Sequence, residues 1–212
     1  MGPVQPVHFV ADFETLSTAP NASLLTLGLV QFDPWGNDTH ETVGALPALA
    51  LAFDTTDQEA YGRHVDPDTL RWWSEQSPEA QARAFQAPGK VSLFEGMTCI
   101  RDWVLSQADG AAPVIWGFGA TADPVWLTTA FADVGLKNPF GYRDNLCLRT
   151  LVRFVPDEVK PERLGVKHDA LADAQYEVLW AQAAYRALGI TRRKRRLPSW
   201  LVAVYRALGI PR

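Results

Sequence analysis

Asp12 and Glu14 stand one residue apart at the end of the chain's first apolar run. Residues two apart on a strand project from the same face, so the two carboxylates point the same way. They repel each other unless a positive charge lies between them. Oxygen donors of this kind favour a divalent cation such as Mg²⁺ or Mn²⁺. An Asp-x-Glu pair alone is common on solvated strands. This one follows Val7-His8-Phe9-Val10-Ala11, which reads as a buried strand. Acidic groups at the end of such a strand are costly to place without a partner, so the pair points to a site that handles a cation.

The surrounding pattern supplies the elements that must hold such a site. Residues 7–13 and 24–32 (LLTLGLVQF) read as two strands, with a turn at 33–38. Residues 42–53 read as a third strand, broken near Pro47, so the chain opens as an antiparallel meander. Asp66-Pro67 and Ser77-Pro78 each set a capping side chain before a proline at the first helical position. Ser92 and Glu95 have capping-box spacing and open a helix with Leu93, Met97, Ile100 and Val104 on one stripe. Residues 113–118 (PVIWGF) read as an apolar strand. Asp123-Pro124 begins a helix that Gly135 ends, with Asp123 as its N-cap and Leu127, Ala130, Phe131 and Val134 inward. The last strong helix covers 169–188, with Leu171, Ala174, Val178, Ala181, Tyr185 and Leu188 on its stripe and Gly189 as its stop. Hairpin strands followed by alternating helices and strands predict an α/β fold, a mixed sheet flanked by helices.

Bulk properties narrow the classes. A chain of 212 residues, 47% hydrophobic and 21% charged, suits one domain with a full core. Its net charge of −4 means that a polyanion would be held by a local basic patch or by metal. Cys99 and Cys147 lack metal-ligand spacing and read as small core residues. No disulfide framework is expected, which fits a reducing cytoplasm. Neither a signal peptide nor an integral membrane segment is expected.

Further acidic and basic positions join the opening pair. Asp123 follows an apolar strand, Asp173 lies in the last helix, and His168 stands five residues before Asp173. The order Asp-x-Glu, then Asp at a strand-to-helix junction, then His-x₄-Asp resembles the DEDDh class of 3′–5′ exonucleases, which have the ribonuclease-H-like fold. Residues 12–33 (DFETLSTAPNASLLTLGLVQFD), 66–77 (DPDTLRWWSEQS) and 116–127 (WGFGATADPVWL) resemble the phage DexA-type exonucleases and the related mycobacterial exoribonucleases. The resemblance covers roughly 7–185. Two positions depart from the family's second motif: Phe118 stands where Asn is usual, and Ala122 where an aromatic usually precedes the Asp. Neither change removes a carboxylate.

The resemblance implies a ribonuclease-H-like mixed sheet of five to six strands and a phosphodiesterase acting from a free 3′ end of DNA or RNA. It implies that Asp12, Glu14, Asp123 and Asp173 hold two divalent cations, Mg²⁺ or Mn²⁺, about 3.5–4 Å apart. His168 would be the general base on the attacking water, and nucleoside 5′-monophosphates the products. Thr15 and Leu16 would contact the terminal nucleotide. Of Trp72 and Trp73, at least one is expected in the core beside Leu70, and the other is a candidate to stack on a nucleobase. Gln76 and Arg71 are candidate polar contacts. His8, His40 and His64 read as surface histidines. A homodimer is a further implication. Two other readings remain open: a phosphodiesterase specialised for short oligonucleotides, and a nucleic-acid-binding module without catalysis.

Residues 1–189 form the expected domain. The remainder, 190–212, is a basic, amphipathic tail containing Arg192-Arg193-Lys194-Arg195-Arg196. That run fits a solvated segment, a phosphate-contacting arm, or part of an amphipathic helix that meets a membrane or partner.

Overall fold

Alternation along β1 (Val7–Thr15) decides what lies on each side of the sheet. The structure is a computed structural model and describes residues 5–192. β2 (Leu24–Phe32) pairs antiparallel with β1, and β3 (Ala48–Ala52) antiparallel with β2. On the other side, β4 (Pro113–Gly117) runs parallel to β1, and β5 (Asn145–Cys147) parallel to β4. The order β3-β2-β1-β4-β5 is the expected mixed sheet, with five strands and β1 at its centre.

Two details differ from expectation. The third strand is shorter: Val43–Ala45 form a 3₁₀ turn, and β3 begins only after Pro47. Proline has no N–H for a ladder, which explains the late start. β5 was not anticipated, because three residues are too few for alternation to register.

The helices start where their caps are. Asp66 accepts from the Asp68 N–H at 2.9 Å and opens α1 (Pro67–Ser74). Ser77 accepts from Ala80 and opens α2 (Pro78–Phe85). Ser92 and Glu95 complete a reciprocal box at the start of α3 (Leu93–Ala108). Such caps each contribute about 1 kcal/mol. α4 (Asp123–Asp133) and the short α5 (Leu148–Leu151) follow, and α6 (Ala170–Ala187) closes the domain.

Phe9, Ala11 and Phe13 pack with Met97, Ile100, Val104, Leu127 and Phe131 in one core, under α3 and α4. Val10, Val30 and Trp116 pack with Ala174, Val178 and Ala181 of α6 in a second. Asp12 and Glu14 share the α6 side with Val10. α6 reaches that side closely because Gly28, paired with Asp12, has no side chain. A Cβ at Gly28 would lie 2.2 Å from the Ala170 carbonyl oxygen.

Three other assignments change. Cys99 is exposed and Cys147 half-buried, since Met97 and Ile100 take the inward positions of their helical turn. His8 is buried rather than on the surface. It lies edge-on to Phe32 and Trp35, and its Nδ1 accepts from Trp116 Nε1 at 3.0 Å. Burial lowers its pKa to about 4. The basic run lies outside the described residues from 193 onward. Arg192 pairs with Asp33, and its guanidinium lies 5.1 Å from the Trp35 ring centroid.

Candidate active site

β1 and β4 are paired only as far as Val10 and Trp116, and Asp123 enters the gap beyond. Its Oδ1 accepts from the Phe13 N–H at 3.0 Å and its Oδ2 from the Phe118 N–H at 3.1 Å. Asp123 is therefore not the N-cap of α4; Ala122 holds that position, and the carboxylate instead joins the ends of two strands. Gly117 leaves room for it, because a Cβ there would meet Asp123 Oδ2 at 2.8 Å.

The last pieces come from the chain's entry into α6. Asp169 caps the helix by accepting from Ala172 at 3.2 Å. Asp173 follows in the first turn, and its Oδ2 accepts from the His168 N–H at 3.1 Å. His168 takes a left-handed backbone conformation, φ 63°. That region costs a non-glycine residue about 1–2 kcal/mol, and here it points the ring back toward β1. His168 Nδ1 lies 3.6 Å from Glu14 Oε1. One potential ligand atom each from Glu14, His168 and Asp173 falls within a mutual 4.8 Å. A register shift between Glu14 and Thr15 bends the strand end at this point.

Charge shows what the cluster favours, a proton or a cation among its carboxylates. Burial pushes the Asp12 pKa well above the usual carboxylate range, reinforced by Glu177, Asp123, Glu14 and Asp173. Burial raises Asp123 to about 6, against the lowering effect of its backbone hydrogen bonds. Glu14 is raised by burial and opposed by His168; Asp173 is raised by burial and opposed by Arg163. His168 is raised chiefly by its contact with Glu14. Hard oxygen donors under mutual repulsion fit Mg²⁺ or Mn²⁺. A buried carboxylate oxygen without a hydrogen-bond partner, Glu177 Oε2, strengthens that fit.

The structure thus brings Asp12, Glu14, Asp123, His168 and Asp173 to one end of the sheet. The candidate substrate contacts fare differently. Trp73 is 1% exposed and its Nε1 donates to the Thr15 carbonyl at 2.9 Å. It supports the strand end and presents no face for a base. Trp72 is 41% exposed and meets the His168 ring edge-on, with centroids 4.8 Å apart. Leu16 is buried with Leu25, Trp73 and Ala84, which leaves no exposed apolar wedge there. The Thr15 hydroxyl is spent on the Ser17 carbonyl at 2.7 Å. Gln76 turns its amide back to the Trp72 carbonyl at 2.9 Å, and Arg71 pairs with Asp68.

Three participants were missed. Arg163 forms an ion pair with Asp173 and lies 4.4 Å from the Tyr176 ring centroid. Glu177 is buried one turn beyond Asp173. Phe118, noted only as a departure, stacks on Trp180 at 5.3 Å, and Arg149 covers its ring. The i, i+4 spacing of Asp173 and Glu177 was the one signal available for Glu177.

A five-stranded mixed sheet with this carboxylate–histidine cluster at its central strand is the ribonuclease-H-like fold that the sequence resemblance implied. Residues 7–185 match the 3′–5′ exoribonuclease Rv2179c-like domain, and the chain belongs to that family. It is also 30% identical over 98 residues to an exodeoxyribonuclease of Enterobacteria phage T4, covering 45% of this chain and 42% of the phage protein. The chain thus matches less than half the length of that relative. Among solved structures, S. pombe Pop2p in its Mg²⁺- and Mn²⁺-bound form superposes with a TM-score of 0.55 at 12% identity. That match covers 89% of this chain and 86% of Pop2p. The nuclease domain of 3′hExo, a DEDDh family member bound to rAMP, gives 0.53 at 12% identity over 86% of this chain and 92% of that one.

Proposed function

We propose that this chain is a metal-dependent 3′–5′ exonuclease that removes nucleoside 5′-monophosphates from single-stranded RNA or DNA. Asp12, Glu14, Asp123 and Asp173 hold two divalent cations, Mg²⁺ or Mn²⁺. The observation that carries this reading is the convergence of Glu14, His168 and Asp173 ligand atoms within 4.8 Å beside the buried Asp123 and the half-buried Asp12. Bound there, divalent cations supply charge stabilisation to the phosphate and a more acidic water.

The chain's own groups divide the remaining work. Glu14 orients the His168 ring through Nδ1, which leaves Nε2 to take the proton of the attacking water. Asp123 keeps its carboxylate fixed through two backbone donors, so little reorganisation accompanies binding. A cleft of about 570 Å³ opens beside His168 and Asp173, with Lys160, Arg163 and Lys167 on its walls. Its size suits a small ligand, and its cations suit nucleic-acid phosphates. The exposed Trp72 offers the surface on which a terminal base rests.

No helix among the described residues is long and apolar enough to cross a membrane. The free cysteines fit action in a reducing cytoplasm. The homodimer implied by the resemblance belongs to the proposal and is read by light scattering. The functional test uses 5′-labelled RNA and DNA oligonucleotides, each with a free or a phosphate-blocked 3′ end. The expected result is stepwise shortening of the free-ended strands, with nucleoside 5′-monophosphates as products. Internal cuts, or binding without cleavage, would reject the exonuclease.

A further inference from the structure

Glu177 makes a fifth carboxylate at a centre whose resemblance-based set has four. It lies one helical turn after Asp173, is 4% exposed, and its Oε2 has no hydrogen-bond partner among the described residues. The charges that act on it come from three directions: Asp123 of α4, Asp173 of its own helix, and Arg163 and Arg149 from neighbouring segments. Asp12 on β1 faces the same α6 side of the sheet, opposite Gly28, where this helix is seated. Arg163 is engaged by Asp173 and Tyr176, and Arg149 lies over Phe118; neither forms an ion pair with Glu177.

Packing gives no reason for an acid here. Its neighbours on α6, Ala174, Val178 and Ala181, belong to an apolar core. A buried carboxylate with a free oxygen takes a proton, a cation or a hydrogen bond from water, and beside a cation site that water is one the cation also holds. Mg²⁺ characteristically keeps several waters when carboxylates bind it. Such waters are held by acceptors behind the direct ligands.

We propose that Glu177 is a positioning residue of the metal centre, accepting hydrogen bonds from water on a cation held by Asp12 and Asp123. This rests on the metal-dependent reading above. Glu177 thereby strengthens cation binding and touches neither substrate nor reacting atoms.

The test is a titration of the full chain with Mn²⁺, followed by the loss of the free-ion electron paramagnetic resonance signal. Wild type, Glu177→Gln and Asp12→Asn are compared, with circular dichroism as the check on folding. Glu177→Gln is expected to bind Mn²⁺ about tenfold or more weakly, and to recover most of its kcat at saturating Mn²⁺. Wild-type affinity in Glu177→Gln would overturn the proposal, because Gln reproduces a neutral, protonated Glu. Loss of binding in Asp12→Asn alone would leave the metal site standing and remove Glu177 from it. A wild type that binds no Mn²⁺ would reject the metal reading and this proposal together. Should Glu177→Gln fail to fold, Glu177→Asp, which withdraws the carboxylate by one methylene, reads the same quantity. Weakened binding in it supports the role, and unchanged binding rejects it.

Discussion

Phe9, Ala11 and Phe13 are covered by α3 and α4, whereas Asp12 and Glu14, interleaved with them on the same strand, face α6 among further carboxylates. One side of β1 is closed and apolar. The other carries groups that burial and mutual repulsion drive above their ordinary pKa range. The comparison teaches how the strand can hold chemistry that is unfavourable to fold. Hydrophobic burial on the α3–α4 side offsets the repulsion on the other and fixes the backbone from which both sides project.

The largest expected effect separates the sides completely. Asp12→Ala or Asp173→Ala should lower single-turnover cleavage by about 10³-fold or more. Thermal melts of Asp12→Ala in chelator should show the same or higher stability, since one repelled charge is gone, whereas Asp173→Ala also loses its Arg163 ion pair and its hydrogen bond from His168. A fall in both quantities for Asp12→Ala would mean that this carboxylate also holds the fold. Phe131→Ala, on the closed side, should do the reverse. Denaturant titration is expected to show a loss of about 3–5 kcal/mol, with the cleavage rate per folded molecule unchanged.

Gly28→Ala should break the separation. Its Cβ would lie 2.2 Å from the Ala170 carbonyl, so α6 must shift away from β2. A stability loss of about 1–3 kcal/mol is expected, together with reduced cleavage, because Asp173 moves with the helix. Retained activity would show that the helix seat tolerates more displacement than the contact suggests.

The smallest effect is a pH dependence of opposite sign at the two ends of the α6 side. Burial raises Glu177, so in chelator its contribution to stability is complete below about pH 4.3 and is lost as pH rises through its folded value. Melts should show the stability margin of Glu177→Gln over wild type growing as pH rises from about 4.3, and shrinking when Mg²⁺ is added. His8, lowered to about 4, contributes above about pH 6.5 and loses that contribution as pH falls through about 4. A margin independent of pH would contradict a buried, repelled Glu177.

Much of this arrangement was legible in sequence because it follows period and punctuation. The two-residue spacing of Asp12 and Glu14 at the end of the strand read over 7–13 placed both on one face, and Asp66, Ser77 and Ser92 marked helix starts that the structure keeps. The residues brought to the cluster were legible through their order along the chain. What escaped depends on the path between elements. Glu177 in a helix reads as an ordinary surface charge until Gly28 seats that helix on the sheet. Arg163 stands in a segment without periodicity, so nothing local ties it to Asp173. Trp72 and Trp73 are adjacent and chemically identical, and only the turn of α1 sends one to the core and the other toward His168. Asp123 has the spacing of an N-cap, yet its oxygens find the freed ends of β1 and β4.

The most direct test of the central claim is digestion of 5′-end-labelled single-stranded RNA with Mg²⁺, with Mn²⁺ and with chelator, beside Asp173→Ala. A ladder shortening from the 3′ end, dependent on added cation and absent in the variant, is the predicted result. Cleavage that persists in chelator, or at the wild-type rate in Asp173→Ala, would contradict a metal centre on the α6 face.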